Sequence, residues 1–383
     1  MAGARASIFD VLLLSIIGVP IAAGLIGTVV PAFGYLPAIG STSFSFEAWR
    51  SLFAYPGLGA AVRLSLTTGF LATIGSLVLA AGLCASLRNN MTVRRAEAML
   101  FPLLAAPHAA LAIGLAFVLA PSGWISRLVL PLLTGSHTPP DIGIVGDRYG
   151  IALIIGLMLK EVPYLLLVTL AALNQIPAGQ QLGAARSLGY GHGVAWFKVV
   201  FPQIYPQIRL PILVVLIYSL SVVDMALVLA PSEPAPLSIV ILRWFTSPDV
   251  TQYALASAAA LLQLLLAGGA VLLWMLGEGV ARGLGRLWVY SGGRGISGEP
   301  GLKILMALTA VALVLGLMAL LSLGVWSFTW RWAYPAPLPT QWRCTHFVES
   351  NWTSHQNSQY PRYRDLLPRC RYLAFTRCHR QIR

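Results

Sequence analysis

Residues Gly183–Pro202 read GAARSLGYGHGVAWFKVVFP. The stretch is polar, basic and punctuated by glycine, yet it lies between two long apolar segments. Its residue types predict a helix–turn–helix. A first helix runs from Ile176-Pro177 to Leu188, with Ala184 and Ala185 as strong helix formers. Gly189 stands where a tight turn needs an unhindered backbone, with φ > 0 open to it. A second helix follows over about 193–200, with Val194, Phe197 and Phe201 on one face. Pro202 then sits near the entry to the next apolar segment, where a missing N–H is tolerated.

The surroundings of this stretch set the fold class. The chain has 383 residues, of which 57% are hydrophobic and 10% charged, with a mean hydropathy of +0.74. A soluble domain carries about 25% charged residues, so the composition is that of a polytopic membrane protein. A helix crosses a bilayer in roughly 20 apolar residues. About seven segments qualify: roughly 9–30, 64–87, 98–120, 150–173, 208–231, 254–277 and 304–327. They are too long and too little alternating for barrel strands, which predicts an all-α membrane bundle. The first segment has no A-x-A-like exit and reads as an uncleaved span, not a signal peptide.

The net charge of +13 invites a nucleic-acid reading, but its distribution argues against one. Residues 331–383 hold nine Arg against Glu349 and Asp365, and so carry +7 of it. The rest flanks apolar segments. With the N-terminus inside, Arg5, Arg88, Arg94, Arg95, Arg186, Lys198, Arg209, Arg282, Arg286, Arg294 and Lys303 face the cytoplasm. Arg50, Arg63, Arg127, Arg148 and Arg243 face outward. This asymmetry predicts an N-in orientation and places Gly183–Pro202 in the cytoplasm.

The same stretch resembles the cytoplasmic coupling loop of binding-protein-dependent ABC transporter permeases. That family's pattern is E-A-A, three residues, Gly, nine residues, then I-x-L-P. Ala184, Ala185, Gly189 and the run Val199-Val200-Phe201-Pro202 keep the spacing, while Gly183 stands in place of the Glu. The resemblance is strongest over residues 150–280. It implies a type I ABC importer permease in a bacterial inner membrane, whose loop (Gly183, Ala184, Ala185, Arg186, Gly189, Phe201, Pro202) docks into a groove on an ABC ATPase subunit. It also implies a second permease half, from this or another chain, and a periplasmic substrate-binding protein. Small Ala side chains allow close approach, and Arg186 supplies a contact in place of the lost Glu. The chain carries no G-x-x-x-x-G-K-[ST] loop, so ATP hydrolysis is expected of a separate subunit. No cofactor is implied, and no Ser/His/Asp or paired-carboxylate set stands out.

Among the polar residues inside apolar segments, His108, Lys160, Glu161 and Asp224 stand out. Lone charges there are costly and pair or face a cavity. Lys160 and Glu161 are adjacent and do not face each other, so each needs a partner elsewhere, and Asp224 is the candidate for Lys160. Members of the resembled family also show a Lys-Glu-x-Pro run and an Asp here. These residues either fix helix packing or line the translocation path. His108, after Pro107, reads first as a hydrogen-bonded packing residue. Pro231–Phe245 predicts a proline stop followed by a short amphipathic stretch, either a re-entry hairpin or a docking point for a substrate-binding protein.

The domain reading is a six-span half at 1–280 with its loop at 174–207, a Gly/Ser-rich linker at 281–302, a seventh span at 303–330 and an irregular basic tail at 331–383. Tyr334-Pro-Ala-Pro-Leu-Pro-Thr-Gln-Trp342 follows span seven as Tyr35-Leu-Pro and Phe46-Glu-Ala-Trp49 follow span one, a faint repeat that makes span seven the start of a second half. An accessory helix is the alternative. The tail gathers Cys344, Cys370, Cys378, His346, His355 and His379 without the tight pairs of a zinc site. Dense Arg without Lys suits a shifted reading frame after about residue 343, and a truncated, inactive remnant is then a further alternative. Two other classes remain open: a secondary transporter or channel relaying ions through Lys160, Glu161 and Asp224, and a membrane enzyme using His108 and Glu161.

Overall fold

The computed structural model describes residues 8–37, 40–86, 100–135, 138–140, 143–295 and 300–342. The charges at Arg5, Arg88, Arg94 and Arg95 and the Cys- and His-bearing tail lie outside the described residues. In chain order the elements are α1 (Ile8–Ala32), α2 (Glu47–Ala54), α3 (Leu58–Ser86), α4 (described over 100–105), α5 (His108–Leu119), α6 (Trp124–Thr134) and α7 (Ile151–Leu173). There follow α8 (Ala178–Ser187), α9 (His192–Ala195), a π-helical turn (Trp196–Val200), α10 (Phe201–Ser221), α11 (Asp224–Leu229), α12 (Leu237–Phe245), α13 (Gln252–Tyr290) and α14 (Pro300–Ser327). One small antiparallel hairpin closes the list, β1 (Thr329–Arg331) with β2 (Gln341–Trp342). Among the described residues, seven helices are long and apolar enough to span a membrane.

Backbone chemistry explains where these helices depart from the expected spans. The third span breaks at Ala106-Pro107, since Pro107 brings no N–H and Leu111 starts a new helix by donating to its carbonyl at 3.1 Å. The fifth span is longer toward the loop than expected, because α9, the π turn and α10 run on without interruption. It ends at Ser221, where Val222 is extended (φ −59°, ψ 134°), and resumes as α11 at Asp224. Helix α13 runs to Tyr290, so residues 281–290, read as the start of the linker, are helical.

The described residues divide into two compact units, those within 1–112 and 144–317 and those within 113–143 and 318–342. In the larger unit α3, α7 and α10 form the centre. Glycines let them approach: the Leu220 side chain lies where a Cβ on Gly69 would stand, and Met158 does the same at Gly75. Helix α12 packs on α3 and α13 with Leu237–Val240 buried, so it is more deeply seated than an interfacial stretch. In the smaller unit Arg127 is buried and gathers the chain around itself. Its guanidinium donates to the carbonyls of Ser122 (2.7 Å), Ala333 (2.8 Å) and Ala336 (2.9 Å) and lies 5.1 Å from the Trp332 ring. Residues 331–342 therefore belong to the folded chain and not to an irregular tail.

Gly114 in the smaller unit abuts Ala319, whose carbonyl oxygen stands 2.1 Å from where a Cβ would be, and its own carbonyl accepts from Ser322 Oγ at 3.0 Å. Gly114→Val should destabilise the protein by about 1–3 kcal/mol through overpacking against backbone. Gly24→Ala, with nothing within 4 Å, should be neutral. Thermal unfolding of the two purified variants, followed by size-exclusion chromatography, checks this.

Candidate functional site

Helix α8 presents the loop. Gly183, Ala184 and Arg186 are exposed while Ala185 is buried beneath them. The helix ends at Ser187, and Gly189 turns the chain with φ +82°, the left-handed conformation that glycine adopts at little steric cost. Tyr190 N–H closes the turn on the Ala185 carbonyl at 3.2 Å. The second helix is short, and its inward face differs from the expected one. Gly193, Trp196 and Val200 are buried, whereas Val194, Phe197 and Phe201 are only half-buried. The buried set keeps the expected i, i+3, i+7 spacing but lies one residue earlier, and the offset begins at Gly193, ahead of the π turn. Phe201 and Pro202 open α10, which places Pro202 in its first turn, several residues before the expected start of the span. Trp196, Phe197, Phe201 and Tyr205 form a continuous aromatic file with centroids 5.0–5.9 Å apart.

The expected Lys160–Asp224 pair is not formed. Lys160 Nζ instead donates to three carbonyls at the break of the third span, Leu103 (2.7 Å), Leu104 (3.0 Å) and Ala106 (2.5 Å). These are the terminal acceptors of α4, freed because the helix stops before Pro107. The ammonium satisfies them and complements the negative end of that helix. Glu161, also buried, accepts from Ser76 Oγ of α3 at 3.0 Å and from Ser219 Oγ of α10. It therefore knits α3, α7 and α10 together. Asp224 accepts from its neighbour's Met225 N–H at 2.9 Å and, more weakly, from Tyr218 Oη at 3.4 Å. His108 packs its ring 5.0 Å from that of Tyr218. The two helix breaks are thus bridged by His108, Tyr218 and Asp224, while Lys160 and Glu161 each serve a separate set of partners.

Known proteins bear on this arrangement. No family model matches the chain. The inner membrane ABC transporter permease protein YnjC of Escherichia coli (strain K12) is 33% identical to it over 233 residues, 61% of this chain and 44% of that protein. This chain is homologous to an ABC transporter permease. It spans under half the length of that relative. The fold agrees. The crystal structure of a bacterial ABC transporter involved in the import of the acidic polysaccharide alginate is 17% identical with a TM-score of 0.55, covering 73% of this chain and 93% of that one. A bacterial alginate ABC transporter in complex with an alginate pentasaccharide-bound periplasmic protein is 18% identical with a TM-score of 0.56, covering 69% and 91%.

Three features of this arrangement were not read from the sequence. Arg209, counted only as a loop charge, pairs with buried Glu278 of α13 at 2.9 Å. Tyr205 Oη donates to the same carboxylate at 2.9 Å and accepts from Trp274 Nε1 at 3.2 Å. The i, i+4 spacing of Tyr205 and Arg209 was the available signal. His192 Nε2 meets the Ala85 carbonyl at the end of α3 at 2.9 Å. The serine partners of Glu161 had no signal, since serine is common in apolar helices and hydrogen-bonds its own backbone there.

Replacing Lys160 with Met should lower stability by about 3 kcal/mol or more, because each unsatisfied buried polar group costs about 1–3 kcal/mol. Asp224→Asn should cost much less, as no partner cation is lost. Melting temperatures of both variants in one detergent check the ranking, which a Lys160–Asp224 pair would equalise.

Proposed function

We propose that the chain is a membrane-spanning permease half of an ABC importer, coupled through Gly183–Pro202 to a separate ABC ATPase. The observation that carries this reading is the shape of the loop. An exposed small-residue helix face (Gly183, Ala184) with Arg186 beside it is backed by buried Ala185, turned by a left-handed Gly189 and joined rigidly to α10. Such a surface lets another protein approach the backbone closely, and the unbroken run into α10 carries a push into the bundle. In this reading the N-terminus is cytoplasmic in a bacterial inner membrane, in line with the charge asymmetry. A periplasmic binding protein delivers a small solute to the opposite side. Positions around the two helix breaks, with His108, Tyr218 and Asp224, face the solute path, since irregular backbone at membrane depth is tolerated where protein or a cavity satisfies it.

A transporter of this kind uses two permease halves. The second is supplied by another copy or another chain, and α14 is the first span of a repeat of the six-span half. Short pairing after each opening span supports the repeat: Leu36 bridges Ser41 after α1, and β1 pairs with β2 after α14. ATP hydrolysis belongs to the partner.

Gly189→Val combined with Ala185→Glu blocks the turn and places a charge beneath the docking face. The double variant should insert in the membrane normally and lose co-purification of the ABC ATPase co-expressed from the same genomic neighbourhood. Unaltered co-purification overturns the assignment of the loop.

A further inference from the structure

The end of α13 and the segment after it lie on the loop. Lys198, in the π turn, donates from Nζ to the carbonyls of Trp288 and Gly293, both at 2.9 Å. The same ammonium sits 4.8 Å from the Trp288 ring and 5.6 Å from the Tyr190 ring. Gly191 N–H donates to the Arg294 carbonyl at 2.8 Å. Gly295, at φ +83°, lets the strand pass so near Val194 that a Cβ would stand 2.5 Å from its Cγ2. Trp288 is in the last turn of α13, where helix carbonyls lack intrahelical partners. A cation there satisfies one of them and meets the negative end of the helix, while the two rings hold it by cation–π attraction. The cation and the backbone bond together hold one segment, the last turn of α13 from Trp288 and the strap 291–294 that follows it.

We propose that Lys198 is a positioning residue that fastens the end of α13 to the loop, so that a push on α8 moves α10 and α13 as one body. The path into α10 is covalent, through the π turn. At the loop end, Lys198, the Gly191–Arg294 bond and the Gly295–Val194 contact reach the end of α13, while Arg209 and Tyr205 on Glu278, Trp274 on Tyr205 and Gln263 on the Leu220 carbonyl tie α10 to α13 further along. The proposal rests on the loop being the site that receives the push, but its first test needs no partner.

Limited trypsinolysis of the purified full-length chain, with new N-termini identified by mass spectrometry, reads the strap directly. In Lys198→Met, which keeps length and loses charge, cleavage after Arg294 should rise about tenfold, because proteolysis of a transiently opened segment follows its open population. Cleavage after Arg186 should stay at the wild-type rate, and Lys198→Arg should keep Arg294 protected. An unchanged rate at Arg294, an equal rise at Arg186, or loss of protection in the Arg variant overturns the clasp. A fluorophore attached through Leu284→Cys, an exposed position on α13, then tests transmission in the complex with the ABC ATPase. ATP should shift its emission in the wild type and not in Lys198→Met, with the ATPase still bound in both. An equal shift in both overturns the transmission role and leaves the docking assignment standing.

Discussion

In an apolar surrounding every backbone N–H and C=O must find a partner within the protein, and this bundle breaks two of its spans, the third and the fifth. Everything at its centre follows from how those breaks are satisfied. At the first, Lys160 supplies one ammonium to three freed carbonyls. At the second, Ser238 Oγ donates to the Val222 carbonyl at 2.7 Å and Gln263 Nε2 to that of Leu220 at 3.1 Å. A cation and two neutral side chains thus do for irregular backbone what the i→i−4 ladder does elsewhere. Glu161, one residue from Lys160, pins α7 to α3 and α10 through Ser76 and Ser219. Adjacent opposite charges on one helix serve as two anchors pointing different ways.

From that rigid centre the loop inherits its mechanics. Helix α10 is held within the membrane by Glu161 and, nearer the loop, by Arg209 and Tyr205 on Glu278. The π turn joins it to α9 without a flexible residue between, and the aromatic file from Trp196 to Tyr205 stiffens the junction. His192 and Lys198 extend the attachment to the ends of α3 and α13. A surface of small residues on α8 is therefore mounted on three helices at once, which suits a part that receives force from a partner.

The class of fold was legible because it rests on composition and on long uncharged runs, which no local detail can disguise. The turn at Gly189 was legible because one residue type fits its backbone. Pairings were not. Lys160 invited an acidic partner by charge, yet carbonyls freed by Pro107 compete equally well for an ammonium and lie nearer, and a sequence does not print carbonyls. The inward face of the second loop helix was misjudged by one residue, because apolar periodicity favoured Val194, Phe197 and Phe201 while Gly193, Trp196 and Val200 at the same spacing are the buried set. Arg127 and Lys198 looked like loop charges; both are held in aromatic and carbonyl cages assembled from residues far away in sequence. Helix breaks were half legible, through Pro107 but not through Val222, whose extended backbone no residue type announces.

The central claim is that α8 is the surface on which an ABC ATPase acts. Site-specific photocrosslinking tests it most directly, with a photoreactive residue placed at exposed Leu188 beside the turn and, in a second variant, at exposed Leu227 of α11. The account predicts an adduct with the co-expressed ATPase from Leu188 and none from Leu227. No adduct from Leu188 in a membrane where the ATPase is present, or equal adducts from both positions, would contradict it.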